Sequence, residues 1–137
     1  MIVADANLLA YLVLPGERTK EAEAVFLTDP AWVAPVLWLS ELRSVVGQYV
    51  RRGDLSTTQA IAALERADTV IAGREGAADS RAVLELSQRS KCSTYDCEYV
   101  VLAADLGVVL VTADGAVLRA FPKLAIAPSD FVMEGSA

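Results

Sequence analysis

The chain has 137 residues, 54% of them apolar and 22% charged, and 18 acids against 12 bases give a net charge of −6. A chain near this length buries roughly 70% of its unfolded surface, which excludes disorder and makes a second independent domain unlikely. Residues 1–137 are therefore expected to form one unit. Histidine is absent, which removes the commonest general base, the commonest metal ligand and every triad that relies on imidazole.

The acidic balance, with a pI near 4.6, provides no basic footprint for a phosphate backbone. A nucleic-acid substrate would need positive charge from another source. Cys92 and Cys97 match neither a redox pair nor a zinc-ligand pair and read as ordinary reduced thiols. The first residues lack the basic lead and long apolar stretch of a signal peptide, and no uncharged apolar run approaches ~18 residues. The expectation is a cytoplasmic protein with no membrane segment.

In chain order, residues 2–4 form an apolar run of strand type, followed by Leu8, Leu9 and Leu12 at helical spacing up to Pro15 and Gly16. Residues 17–28 read as a second helix that Asp29 and Pro30 break, and 31–34 as a short strand. Pro35 suits the first turn of a helix running to Arg52, with Gly53 as a left-handed cap. Ser56 and Gln59 form a capping box for the next helix, whose core face would carry Ile61 and Leu64. Residues 69–72 read as an edge strand, 73–76 as a loop, and 79–89 and 95–106 as helices. The second of these would carry Tyr99, Leu102, Ala103 and Leu106 on one face. Residues 108–112 and 124–127 have the β-branched or apolar character of buried strands. Strands alternating with helices imply parallel crossovers and an α/β sandwich.

In such folds the ligand site lies beyond the carboxyl ends of the strands. Asp5 directly follows the 2–4 run, Asp114 lies two residues after the 108–112 run, Asp96 opens the 95–106 helix, and Glu41 lies inside a helix. Asp5 and Asp96 each have a plain alternative role as helix caps, and Asp114 with Gly115 makes an ordinary turn pair. Glu41 is different. Its helical neighbours are Leu37, Trp38, Ser44 and Val45, and Arg43 points away from it. A carboxylate on that surface is desolvated at a cost of several kcal/mol unless it is neutralised, paired or bound to a metal. Four such acids at one sheet edge would repel one another, and hard divalent cations with oxygen ligands relieve that repulsion. Magnesium or manganese is implied, and the four acids would account for most of the negative excess.

The stretches VADANLL at 3–9, LSEL at 39–42, YDCEYVVLA at 95–103 and LVTAD at 110–114 resemble the four acidic motifs of PIN domains. The match is to small stand-alone VapC-type toxins of bacterial toxin-antitoxin pairs, and it covers nearly the whole chain with the motifs in order. Cys97 stands where alanine is common, and 69–76 matches no pattern of the family. The resemblance implies an α/β fold, a three-layer α/β/α sandwich with a central parallel sheet, and a Mg2+- or Mn2+-dependent endoribonuclease leaving 5′-phosphate and 3′-hydroxyl ends. Asp5, Glu41, Asp96 and Asp114 would be its catalytic, metal-binding acids.

Asn7 and Thr112 match supporting polar positions, with a capping contact and a strand end as their equally good alternatives. Glu98 reads as a solvated helix residue. By the same resemblance the partners are RNA, a VapB-like antitoxin whose tail packs between helices, and a second copy in a homodimer. Leu9, Leu12, Val25, Phe26 and the 61–64 region are candidate antitoxin contacts, with core packing the stronger role for most. Two other readings compete. A haloacid-dehalogenase-type phosphatase would need aspartate where Asn7 stands, and a noncatalytic module would use the acids only to hold an ion or a basic partner.

Overall fold

The computed structural model describes residues 1–135, so the last two positions of the expected single unit lie outside the described residues. Five strands, β1 (Ile2–Ala4), β2 (Trp32–Pro35), β3 (Glu75–Gly76), β4 (Leu110–Val111) and β5 (Ala125–Ile126), form one sheet in the order β3-β2-β1-β4-β5, with every pairing parallel. The central strand β1 reads Ile-Val-Ala and is buried on both faces, as parallel sheets covered by helices require. Val3 registers with Val33 on one side and with Leu110 on the other.

Among the described residues, seven helices connect the strands and an eighth follows the last: α1 (Ala6–Val13), α2 (Thr19–Thr28), α3 (Trp38–Arg51), α4 (Thr57–Ile71), α5 (Ser80–Ser90), α6 (Thr94–Leu106), α7 (Gly115–Ala120) and α8 (Pro128–Gly135). α6 packs on β1, β2 and β4 with α5 against it, while α1, α3 and α4 pack on one another and α4 reaches β2. The outcome is a three-layer α/β/α sandwich. Among the described residues no helix is long and apolar enough to cross a membrane.

Several sequence expectations are corrected. Residues 69–72 are not a strand: α4 continues to Ile71 and ends on Ala72 in the left-handed region at φ 50°. The strand lies instead at Glu75–Gly76, in the expected loop, where Ala34 donates its N–H to the Arg74 carbonyl (3.1 Å) and the Arg74 guanidinium bonds the Trp32 carbonyl (3.0 Å). Pro35 ends β2 rather than opening a helix, because α3 begins only at Trp38. The buried face of α4 is Ala60, Ala63, Ala67 and Ile71, with Ile61 49% exposed, since small side chains let α4 approach its neighbours closely. Leu106 is likewise exposed, whereas Tyr99, Leu102 and Ala103 are buried. Gly53 does adopt a left-handed conformation, the Ser56–Gln59 capping box is formed in both directions, and both cysteines are free thiols.

Candidate active site

The strand order reverses beside β1: the chain moves outward through β2 and β3, then returns to the other side of β1 for β4 and β5. Such a switch point opens a crevice at the carboxyl ends of the two strands that flank it. Asp5 leaves β1 and Asp114 lies just beyond β4, so both stand at that crevice. An open cavity of about 330 Å³ forms there, lined by Asp5, Asn7, Glu41, Ser44, Asp96 and Asp114 together with Ala6 and Val45. The four acids singled out in the sequence thus share one cavity, with no lysine or arginine in its lining. Among the described residues, no three or more of the acids stand close enough together to hold a metal ion.

Asp5 occupies the N-cap position of α1, yet its side chain makes no capping bond. It turns instead toward β4, where Thr112 Oγ1 donates to Asp5 Oδ2 at 2.6 Å. Burial raises the Asp5 carboxyl to about 6, against the lowering effect of the Thr112 bond and with further raising from Glu41 and Asp96. Thr112 is fully buried and its hydroxyl is saturated. It donates to Asp5 and accepts from the Asp114 N–H (3.0 Å) and the Asn7 Nδ2 (3.4 Å). Asn7 Oδ1 in turn accepts from the Ala113 N–H at 3.4 Å. Asn7 and Thr112 therefore tie the end of β1 to the end of β4.

Glu41 is half-buried in the first turn of α3, above the buried Trp38 and Leu42. Burial raises its pKa; a hydrogen bond from Tyr99 lowers it, while the charges of Asp96 and Glu98 raise it. Asp96 is half-buried in the first turn of α6, whose cap is Ser93: the serine Oγ accepts from the Asp96 N–H at 3.0 Å. The Asp96 carboxylate in turn reaches back to the Ser93 hydroxyl and backbone N–H while it lines the cavity. Burial raises its pKa, as does the Asp114 charge. Asp114 does cap its helix, Oδ1 accepting from the Val117 N–H at 3.0 Å, while it lines the cavity.

Two contributors were not evident as such in the sequence. Tyr99, expected only on an apolar face, donates its hydroxyl to Glu41 Oε1 at 2.7 Å; the available clue is that a buried tyrosine hydroxyl needs a partner. Glu98, expected to be solvated, is half-buried, and its charge acts on both Glu41 and Tyr99.

Hard oxygen donors, a lining without cationic side chains and carboxylates that raise one another's pKa values together fit a divalent cation.

The PIN domain family model matches residues 2–124. Over 122 residues the chain is 31% identical to Ribonuclease VapC3 of Mycobacterium tuberculosis, found in two strains, covering 89% of this chain and 88% of the relative. The crystal structure of PAE2754 from Pyrobaculum aerophilum superposes with a TM-score of 0.76 at 20% identity, covering 99% of this chain and 98% of that one, a likeness of fold.

Proposed function

The chain belongs to the PIN domain family, and from that premise we propose that Asp5, Glu41, Asp96 and Asp114 are the catalytic, metal-holding acids of a VapC-type toxin. The protein is an endoribonuclease that hydrolyses RNA phosphodiester bonds, with a VapB-like antitoxin as its partner. The observation that carries the site assignment is the single cavity lined by four carboxylates from remote segments and by no cationic side chain. Mg2+ or Mn2+ is the metal we assign to it. When bound, such a cation supplies Lewis-acid activation of water and neutralises charge at the phosphate.

The side chains do the positioning. Thr112 holds Asp5 through Oδ2, the Ala6 N–H also bonds the Asp5 carboxylate, and Tyr99 holds Glu41 through Oε1. Asp114 is fixed by the α7 backbone. Asn7 and Thr112 are supporting residues, and Ser44, one turn after Glu41, places a hydroxyl in the same cavity. Water oxygen bonds to phosphorus as the bond to the 3′ oxygen breaks, leaving a 5′-phosphate and a 3′-hydroxyl.

The reading extends to residues 1–137 as one unit, to a homodimer and to action in the cytoplasm, where cellular RNA is available. Of the candidate antitoxin contacts, Leu9 and Val25 are fully buried core residues, so Leu12, Phe26, Ile61 and Leu64 are the larger apolar side chains left accessible.

The decisive experiment combines two assays. Inducing the chain alone should arrest growth, and Asp5→Asn should abolish the arrest while its circular dichroism stays unchanged. Purified protein should cut RNA with manganese and stop after chelation. A noncatalytic module would show no cleavage in either condition, and toxicity retained by Asp5→Asn would refute the site.

A further inference from the structure

A second cavity, of about 310 Å³, opens between α5 and α6 and is lined by Ala78, Ser80, Val83, Leu84, Thr94 and Glu98. That volume lies at the lower end of ligand-sized clefts, roughly 300–1,000 Å³. Its apolar lining is the buried Val83 and the exposed Leu84, its polar groups are two hydroxyls and one carboxylate, and no lysine or arginine lines it. Glu98, which lines this cavity, and Asp96, which lines the catalytic cavity, lie two positions apart in α6, so the two cavities open off the same helix. Glu98 makes no ion pair or side-chain hydrogen bond among the described residues, although it is half-buried. Tyr95 stands between Thr94 of the second cavity and Asp96 of the first, three positions before Glu98 on the surface of α6. It is 62% exposed and enters no ring or cation contact among the described residues.

We propose that this cavity is a nucleobase subsite beside the scissile phosphate, with Tyr95 as the stacking ring and Glu98 as the reader of the base edge; the assignment rests on the ribonuclease reading above. Single-stranded RNA is recognised by stacking unpaired bases on aromatic rings and bonding their Watson–Crick edges. A carboxylate only accepts hydrogen bonds and repels phosphate, so it selects N–H groups on a base. Guanine presents N1–H and N2–H side by side, matching both oxygens of one carboxylate. Adenine and cytosine each pair one amine with an acceptor nitrogen that the carboxylate repels, and uracil offers a single N–H. The subsite therefore prefers guanine next to the cut.

The test uses four end-labelled RNA oligonucleotides that differ only in the base flanking the cleavage position, with manganese, measuring kcat and KM for each. Wild type should favour guanine by about tenfold or more. Glu98→Gln replaces one acceptor oxygen with a donor and should reduce the guanine-to-adenine ratio by about tenfold. Tyr95→Ala should raise KM on all four by about tenfold through lost stacking, and Tyr95→Phe should restore it.

Unchanged preference and KM in both variants would overturn the subsite. So would unchanged cleavage in Tyr95→Ala with a halved mass in light scattering, which marks a contact between copies. Unchanged cleavage with lost antitoxin binding would overturn it too and assign the surface to the antitoxin. A wild type that cuts all four substrates equally refutes the subsite alone, whereas one that cuts no RNA refutes the ribonuclease reading itself.

Discussion

The Tyr99 hydroxyl donates to Glu41 Oε1 at 2.7 Å, joining the buried face of α6 to the first turn of α3. Tyr99 is 2% exposed, and burial together with the Glu41 charge keeps its hydroxyl protonated and donating. Groups that orient a metal ligand typically change affinity 10–100-fold when removed. Tyr99→Phe deletes one oxygen and leaves the ring packing in place. Its manganese affinity, measured by calorimetry, should fall by about tenfold. Equal affinity in the two proteins would show that Glu41 is oriented by the α3 backbone alone.

Asp5 carries the second prediction. Its carboxyl is raised from 3.8 to about 6, chiefly by burial, so the fold tolerates the neutral form better than the charged one. The stabilisation is complete below pH ~4 and is lost as pH rises through about 6, a change of about 3 kcal/mol. Glu41 and Asp96, also raised, act in the same direction. Asp29, lowered by the N-terminal ammonium and the Ala31 N–H, acts oppositely and only toward acid. In chelator, wild type should therefore melt at a lower temperature at pH 7.5 than at pH 5, and Asp5→Asn should flatten that difference. Manganese at pH 7.5 should restore much of the loss, because it binds the charged acids of the folded state. Equal melting temperatures for wild type at the two pH values would contradict the account.

The acids were legible because each follows a signal that sequence carries: a strand end for Asp5 and Asp114, a helix opening for Asp96, an apolar helical surface for Glu41. What the sequence could not convey is which of two roles a carboxylate takes. Asp5 and Asp96 both lie at helix starts, but Thr112 captures Asp5 in place of a capping bond, whereas Asp96 bonds back to Ser93, the cap of α6, while it lines the cavity. Asp114 serves as a cap and lines the cavity as well. The Tyr99–Glu41 bond spans 58 positions and depends on the docking of two helices, so no local pattern encodes it. β3 was missed for a related reason. Glu75 and Gly76 have no strand character of their own; pairing with Ala34 and Pro35, and a bond from Trp38 Nε1 to Glu75 Oε1 at 2.7 Å, create the strand from outside.

Gly76 illustrates that dependence. A Cβ there would lie 2.6 Å from Leu102 Cδ1, and Leu102 is 4% exposed with little freedom to move aside. Gly76→Ala should cost about 1–3 kcal/mol as an overpacked contact. Urea denaturation would read it as a lower midpoint with an unchanged slope. Pairing the change with Leu102→Val should recover part of the loss if the clash is its cause; simple addition of the two costs would place the origin elsewhere.

Thr112 separates the geometry of the site from its charge. Thr112→Val keeps the shape, removes the donor to Asp5 from a buried position and leaves the part-buried Asp114 N–H without its acceptor. An unpaired buried group costs about 1–3 kcal/mol, so the variant should be measurably less stable than Thr112→Ser, which keeps the hydroxyl. Activity should fall further than stability alone explains, because Asp5 loses the bond that fixes Oδ2. The same bond lowers the Asp5 pKa, so its removal raises that value above about 6. The acid limb of the pH–activity profile, set by deprotonation of a metal-holding carboxylate, should therefore move to higher pH in Thr112→Val and stay in place in Thr112→Ser. A shift toward lower pH, or none, would mean that Thr112 supports the β4 end without tuning Asp5.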